Sequence, residues 1–208
     1  AFVLTAWRLY PHIRSVEMKK GSSRITFRGF GTHFWLYTAS MAFLSLGFVG
    51  WAVLSYYLKA WGVLSDEETA FAYMLAMAVD GAVAVPIGYL YDKVKLRSLY
   101  IAPLAAAVIP FLVLIGGKPY AYMAAALWGI VMGIYETNMR AGIADLVKPE
   151  LRAMAYGTFG LVYGITWTVG GFILALLFSY SLITATAFIA AVEVCSVITL
   201  SMIKLGEE

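Results

Sequence analysis

Charge, histidine and cysteine are all scarce in this chain. Only 13% of its residues are charged and 62% are apolar, where an ordinary soluble domain has roughly a quarter of its residues charged. A soluble fold of 208 residues has too little interior to hide that much apolar surface. A bilayer removes the need, and the mean hydropathy of +0.82 points the same way. The lone cysteine, Cys195, excludes a disulfide framework within the chain and any thiolate zinc site. Set in an apolar run, it reads as a small buried hydrophobe. The two histidines, His12 and His33, lie in or beside a polar segment. With no His-Glu-x-x-His and no Gly-x-Ser-x-Gly, an intramembrane enzyme lacks its parts, so the chain reads as a non-enzyme without a cofactor. The formal charge is only +3, and its basic residues gather in a few short connections, which a nucleic-acid partner would not require. No secretory leader is visible: Ala1-Phe-Val-Leu-Thr-Ala-Trp7 reads as the tail of an apolar helix that starts upstream.

What fills the chain instead is apolar sequence in long unbroken stretches. Backbone groups in hydrocarbon must be satisfied within helices or a closed barrel, and the period-two alternation of barrel strands is absent. Six stretches run Phe34 to Lys59, Thr69 to Tyr91, Ser98 to Ile115, Pro119 to Met139, Ala153 to Phe178 and Ser181 to Ile203. Each approaches the roughly 20 mainly apolar residues that cross about 30 Å of hydrocarbon. The predicted fold is therefore an all-α integral membrane protein of six transmembrane helices. Gly116-Gly-Lys-Pro119 and Val147-Lys-Pro-Glu150 supply the stops and starts between neighbours. Residues 1–31 read as the end of a preceding helix plus a basic linker, and 32–208 as the bundle.

Orientation follows from the basic residues. Arg8, Arg14, Lys19, Lys20, Arg24 and Arg28 precede the first stretch, Lys93, Lys95 and Arg97 follow the second, Lys148 and Arg152 follow the fourth, and Lys204 follows the sixth. All fall on one side, which the lysine and arginine bias of short loops assigns to the cytoplasm. The other side has Lys59 and Lys118 with the acidic run Asp66-Glu-Glu68. A cell-membrane protein with both termini cytoplasmic is expected.

Two loops on the cytoplasmic side carry patterned sequence. The first is Gly88-Tyr-Leu-Tyr-Asp92-Lys93-Val-Lys95-Leu-Arg97. Here Gly88 would permit close helix approach, Asp92 could accept hydrogen bonds or sit at a neighbouring helix N-terminus, and the cations could pair with carboxylates or lipid. The second runs from Arg140 through Asp145 and Lys-Pro149-Glu150-Leu-Arg152 to Tyr156-Gly157, with Glu150 placed favourably for a helix dipole.

Together these loops resemble those of the major facilitator superfamily. The first has a glycine four residues before an aspartate followed by spaced basic residues; the second has a Pro-Glu-x-Arg turn ahead of a glycine-bearing helix. Lys95 departs from that pattern, standing where the family commonly has glycine. The resemblance covers nearly the whole chain and implies the second half of a twelve-helix transporter, built as two inverted three-helix repeats. It also implies a missing N-terminal six-helix half as partner, a small-molecule substrate between the halves, and a gating loop of Gly88, Asp92, Lys93, Arg97, Asp145, Glu150 and Arg152.

Ionisable residues inside the spans are the sharpest candidates for a site, because a charge at a helix centre costs roughly 2.5–3.5 kcal/mol on insertion scales. Asp80 falls mid-way along the second stretch, Glu136 and Arg140 on the inner part of the fourth, and Glu193 near the middle of the sixth. Glu136 and Arg140 are one turn apart and can pair. Asp80 is the better proton-site candidate, Glu136 the better structural or substrate-orienting group, and Glu193 a protonated, structural carboxyl. Trp128 and Trp167 lie deep enough to wall a cavity, while Trp35, Tyr56, Tyr57, Trp61 and Tyr120 read as interfacial anchors. The glycines at 47, 50, 157, 160, 164, 170 and 171 read as helix-packing positions. The expected function is half of a secondary transporter working by alternating access, with a proton as one option for coupling. The alternative is a self-contained six-helix homodimer acting as a channel or small transporter.

Overall fold

The computed structural model describes residues 29–203. The apolar opening, nearly all of the basic linker and Lys204 lie outside the described residues. Among the described residues every regular element is helical: α1 (Thr32–Gly47), α2 (Trp51–Ala60), α3 (Asp66–Val94), α4 (Ile101–Ile115), α5 (Lys118–Leu146), α6 (Arg152–Tyr180) and α7 (Leu182–Ser201). Short 3-10 turns at Lys95–Tyr100 and Pro149–Leu151 connect α3 to α4 and α5 to α6.

Four helical stretches are long and apolar enough to cross a membrane: Thr32–Ala60, Asp66–Ile115, Pro149–Tyr180 and Leu182–Ser201. The second contains both α3 and α4. Helix α5 is not among them, for its 29 residues include Glu136, Arg140 and Asp145 as well as Lys118. It is also the helix that α3 and α4 both pack against, and a helix enclosed by neighbours need not be uniformly apolar.

The first expected helix is broken. After Gly47 the backbone turns extended at Phe48 (ψ 112°) and again at Gly50 (ψ 145°) before α2 begins. The break leaves the Val49 carbonyl outside the helical ladder, and the Trp128 indole N–H donates to it at 2.9 Å. A buried backbone carbonyl needs such a partner. Helix α3 starts on a capping box, in which Ser65 Oγ accepts from the Glu68 amide at 3.3 Å and the Ser65 amide donates to the Glu68 carboxylate at 2.9 Å. At that same end Lys59 pairs with Asp66 and Lys118 with Glu68, each at 2.6 Å. Both cations of that side are therefore matched by the acidic run.

Helix α5 packs along α3 and α4, α1 packs on α6 and α7, and α4 packs on α7. The tightest seam is α3 on α5, where Ala72, Ala76 and Asp80 face Ala125, Gly129 and Gly133. A Cβ added at Gly129 would fall on the Ala76 carbonyl oxygen, and one at Gly133 would lie 2.9 Å from the Asp80 carbonyl oxygen. Helices in lipid gain little from apolar burial against each other, so such small-residue contacts supply the close packing instead. A second seam joins α1 to α7, where the Ser40 and Ser196 hydroxyls each donate to the other residue's carbonyl at 2.8 and 2.9 Å.

Several expectations are corrected at this level. Gly157, Gly160, Gly164 and Gly171 of α6 have open space where a Cβ would be, as do Gly50 and Gly88, so none of these mediates close approach within this chain. Of the α6 glycines named from sequence, only Gly170 is tightly packed, with a Cβ position 2.5 Å from the Leu46 carbonyl oxygen. Cys195 is exposed on α7 rather than buried. Helical phase, which composition alone does not show, decides each of these cases.

Candidate functional site

An open groove of about 920 Å³ runs between α5 and α6. From α5 it takes Met132, Tyr135, Met139, Arg140 and Ile143, and from α6 Tyr156, Phe159, Gly160, Tyr163, Gly164, Trp167 and Thr168. The α6 set recurs at intervals of three and four residues, so it is one face of the helix. Its glycines keep that face shallow. The aromatic rings form a continuous wall: Tyr135 and Tyr163 have ring centroids 4.5 Å apart, Tyr163 and Trp167 5.7 Å, and Phe159 and Tyr163 5.9 Å. The Tyr156 hydroxyl donates to the Arg140 carbonyl at 2.9 Å and ties the two helices at one end of the groove.

Of the expected site residues, Arg140 and Trp167 line this groove. Glu136 is exposed on α5 one turn before Arg140, but no ion pair forms between them or with any other described residue. Asp80 is half-buried on α3, its Oδ1 placed 3.1 Å from where a Gly133 Cβ would be. Of these three ionisable side chains only Arg140 lines the groove. Trp128 is placed differently from the sequence expectation. It is 4% exposed, stacks at 5.6 Å on Phe48 and caps the helix break through Val49. It is a core residue in this chain, because the break in α1–α2 recruits its indole N–H.

The two patterned loops meet at Asp145. Its carboxylate accepts from the Tyr91 hydroxyl at 2.9 Å and lies 3.7 Å from the Lys95 ammonium. Lys95 has φ +52°, the only non-glycine with positive φ among the described residues, and it stands where the resemblance calls for glycine. Asp92 is exposed and has no hydrogen bond or ion pair among the described residues; Lys93 lies over the Tyr89 ring at 4.4 Å, and Arg97 is exposed. Below them Asn138 donates to Ser98 Oγ at 3.1 Å, and Ser98 Oγ donates to the Lys95 carbonyl at 2.8 Å. In the second loop Glu150 is exposed in the 3-10 turn, while Arg152 donates to the Ala144 carbonyl at 3.1 Å. Sequence reasoning named Asp145 and missed its partner Tyr91, which a search for tyrosines one turn before a charged loop could have raised. It also missed Tyr135, Tyr156, Tyr163 and Thr168, although the polar and aromatic period along α6 is visible once a helix is assumed.

The fold and groove define an all-helical protein with several membrane-length apolar stretches and a polar, aromatic opening on one side. No protein-family profile matches the chain, and no solved structure matches it significantly. Relatives among curated proteins are uncharacterized proteins of Mycobacterium bovis and of two Mycobacterium tuberculosis strains. Each is 29% identical over 172 residues, which is 83% of this chain and 42% of the relative. The chain spans less than half the length of the curated relatives it matches.

Proposed function

We propose that this chain is the second half of a secondary transporter of the major facilitator type, moving a small solute by alternating access. In this reading α1–α2, α3, α4, α5, α6 and α7 make six crossings arranged as two inverted three-helix repeats. Both termini are cytoplasmic in the cell membrane, and the α5–α6 groove faces a second bundle. The observation that carries it is the groove itself. Arg140, Tyr156 and Thr168 are exposed on the outside of the bundle, Tyr135 and Tyr163 line the groove behind them, and Glu136 is exposed one turn from Arg140. Charge turned toward lipid there is costly, whereas a water-filled cavity between two bundles removes most of the cost. The α6 glycines with open space above them leave room for a facing helix. The relatives, more than twice the matched length, have room for a second bundle of this size.

The test is accessibility from both sides. In a Cys195→Ser background, a single cysteine at Thr168 in the membrane-embedded protein is probed with an impermeant thiol reagent added to either face. Alternating access requires reaction from both faces, because the population visits both states. Reaction from one face only defines a static cavity and overturns the reading. If both-face reaction depends on self-association of this chain alone, the six-helix homodimer replaces the two-half transporter.

A further inference from the structure

Glu193 lies in the middle of α7 and is 1% exposed. Neither of its carboxyl oxygens has a hydrogen-bond partner among the described residues. The carboxyl is wedged where α1 ends: a Cβ on Gly47, the last residue of α1, would lie 2.7 Å from Oε1 and 3.3 Å from the carboxyl carbon. The same stretch of α1 is clamped by α6, through the Ser45–Thr166 hydroxyl bond and the contact of Leu46 with Gly170.

Among the described residues no positive charge faces the carboxyl. At this level α1 contributes Ser45, Leu46 and Gly47, all neutral, and α4, packed on α7, has no ionisable side chain. From α6 the titratable side chain turned inward is Tyr163, 7% exposed and neutral. The C-terminal end of α1 presents carbonyl oxygens, the negative end of a helix dipole. An ionised carboxylate sealed without partners in such a place costs several kcal/mol, and the neutral acid far less. The packed junction is therefore a structure of the neutral acid. Ionisation needs water, and a movement of the end of α1 away from α6 and α7 would admit it, because Gly47 is the backbone that covers the carboxyl.

We propose that Glu193 is a proton-carrying site, protonated while the α1–α6–α7 junction is packed and releasing its proton when that junction opens. The O–H bond of the carboxyl breaks and the proton passes to water. The proposal rests on the transport reading only for what the proton drives, which would be the solute movement itself. It also places the proton away from Asp80, which is half-buried and open on one side.

The experiment is an infrared pH titration of the protein in lipid, with Glu193→Gln as the neutral isosteric control. The wild-type-minus-Glu193→Gln difference spectrum is expected to show a protonated-carboxyl stretching band that fades as pH rises. In a Cys195→Ser background, labelling of Thr166→Cys, divided by the thiolate fraction at each pH, should rise about tenfold over the same pH range, the change given by one pH unit of linked proton release. With Glu193→Gln added, labelling should stay low and flat. Gly47→Ala is the second variant: its Cβ crowds the carboxyl, so the band should fade at lower pH. No band in that difference spectrum, flat corrected labelling in wild type, or an unmoved midpoint in Gly47→Ala overturns the proposal. None of these readouts needs a substrate. A missing band with two-sided access at Thr168 removes the proton site alone, and a band without two-sided access removes the transport reading alone.

Discussion

Lys95 and Asp145, which belong to two separate loops of the sequence, meet at 3.7 Å, and the Tyr91 hydroxyl bonds the same carboxylate oxygen at 2.9 Å. The pair is more than two-fifths exposed on both sides, so it contributes only about 0–1 kcal/mol. Holding Lys95 at φ +52° and ψ −135° costs about 1–3 kcal/mol. Strain outweighs attraction. Lys95→Gly is accordingly expected to stabilise the protein by about 1 kcal/mol, even after the extra chain entropy of glycine, and to raise Tm by roughly 2–4 °C. Lys95→Ala keeps the strain, loses the pair and should lower it. Thermal unfolding in detergent measures both, and a glycine variant less stable than wild type shows that the ion pair governs the loop.

The α3–α5 seam predicts a sharp contrast between glycines. At Gly129 a methyl group meets the backbone of Ala76, which cannot rotate away, so the helices must separate. Gly129→Ala should cost about 3 kcal/mol or more. Gly160→Ala meets open space and should be neutral or gain up to about 1 kcal/mol in helix propensity. Folded yield by size-exclusion in detergent, with unfolding curves, compares them. Equal losses would mean that α6 is as closely packed as α3.

Much of this architecture is legible in the sequence, and the unread part has physical causes. Long apolar runs and the Gly116-Gly-Lys-Pro119 stop gave helices and turns close to those observed, including the joint between α4 and α5. The break at residues 48–50 was missed because its determinant is tertiary: the carbonyl that leaves the helix is taken by Trp128, 79 residues away. For the same reason Trp128 read as a cavity wall. Charge position along α5 picked out Arg140, and depth picked out Trp167, both of which line the groove. Lining residues without charge, such as Tyr135 and Thr168, carried no such signal. Glu193 was read as a protonated, structural carboxyl, and its lack of hydrogen-bond partners among the described residues is a property of the packed neighbours that no sequence pattern carries.

Topology is tested at residues the structure leaves exposed. Ser98 is 1% exposed and hydrogen-bonded, so a label there would report unfolding rather than sidedness. Lys93 is exposed at the end of α3, and Trp61, 69% exposed, follows α2 at the opposite end. In intact cells a Trp61→Cys variant should react with an impermeant maleimide, and a Lys93→Cys variant only after lysis. The reverse pattern turns the bundle over and places the Asp145 cluster outside.

Arg140 gives the groove its electrostatic character, and this can be measured without knowing a solute. It lines the opening, its neighbour Glu136 is not paired with it, and no described carboxylate lies within ion-pair distance. A unit charge at about 10 Å in an effective dielectric of about 20 changes the energy of a charged reagent by ~1.7 kcal/mol, more than tenfold in rate. A cysteine at Thr168, on the α6 wall of the same groove, should therefore react faster with an anionic thiosulfonate than with a cationic one of equal size. Arg140→Ala should reduce that ratio about tenfold or more, and Glu136→Gln should increase it, since the remaining cation is then less opposed. Folding should be unaffected by Arg140→Ala to within about 0.5 kcal/mol, because the Tyr156 bond is to the Arg140 backbone carbonyl and survives the substitution. Raising the salt concentration should leave most of the ratio intact if the groove is enclosed by a facing bundle, and abolish it if the groove is open to bulk water. A ratio near one in wild type, or one that Arg140→Ala does not change, would show that the arginine is turned away from the space the reagent enters, and the groove would lose its standing as a solute site.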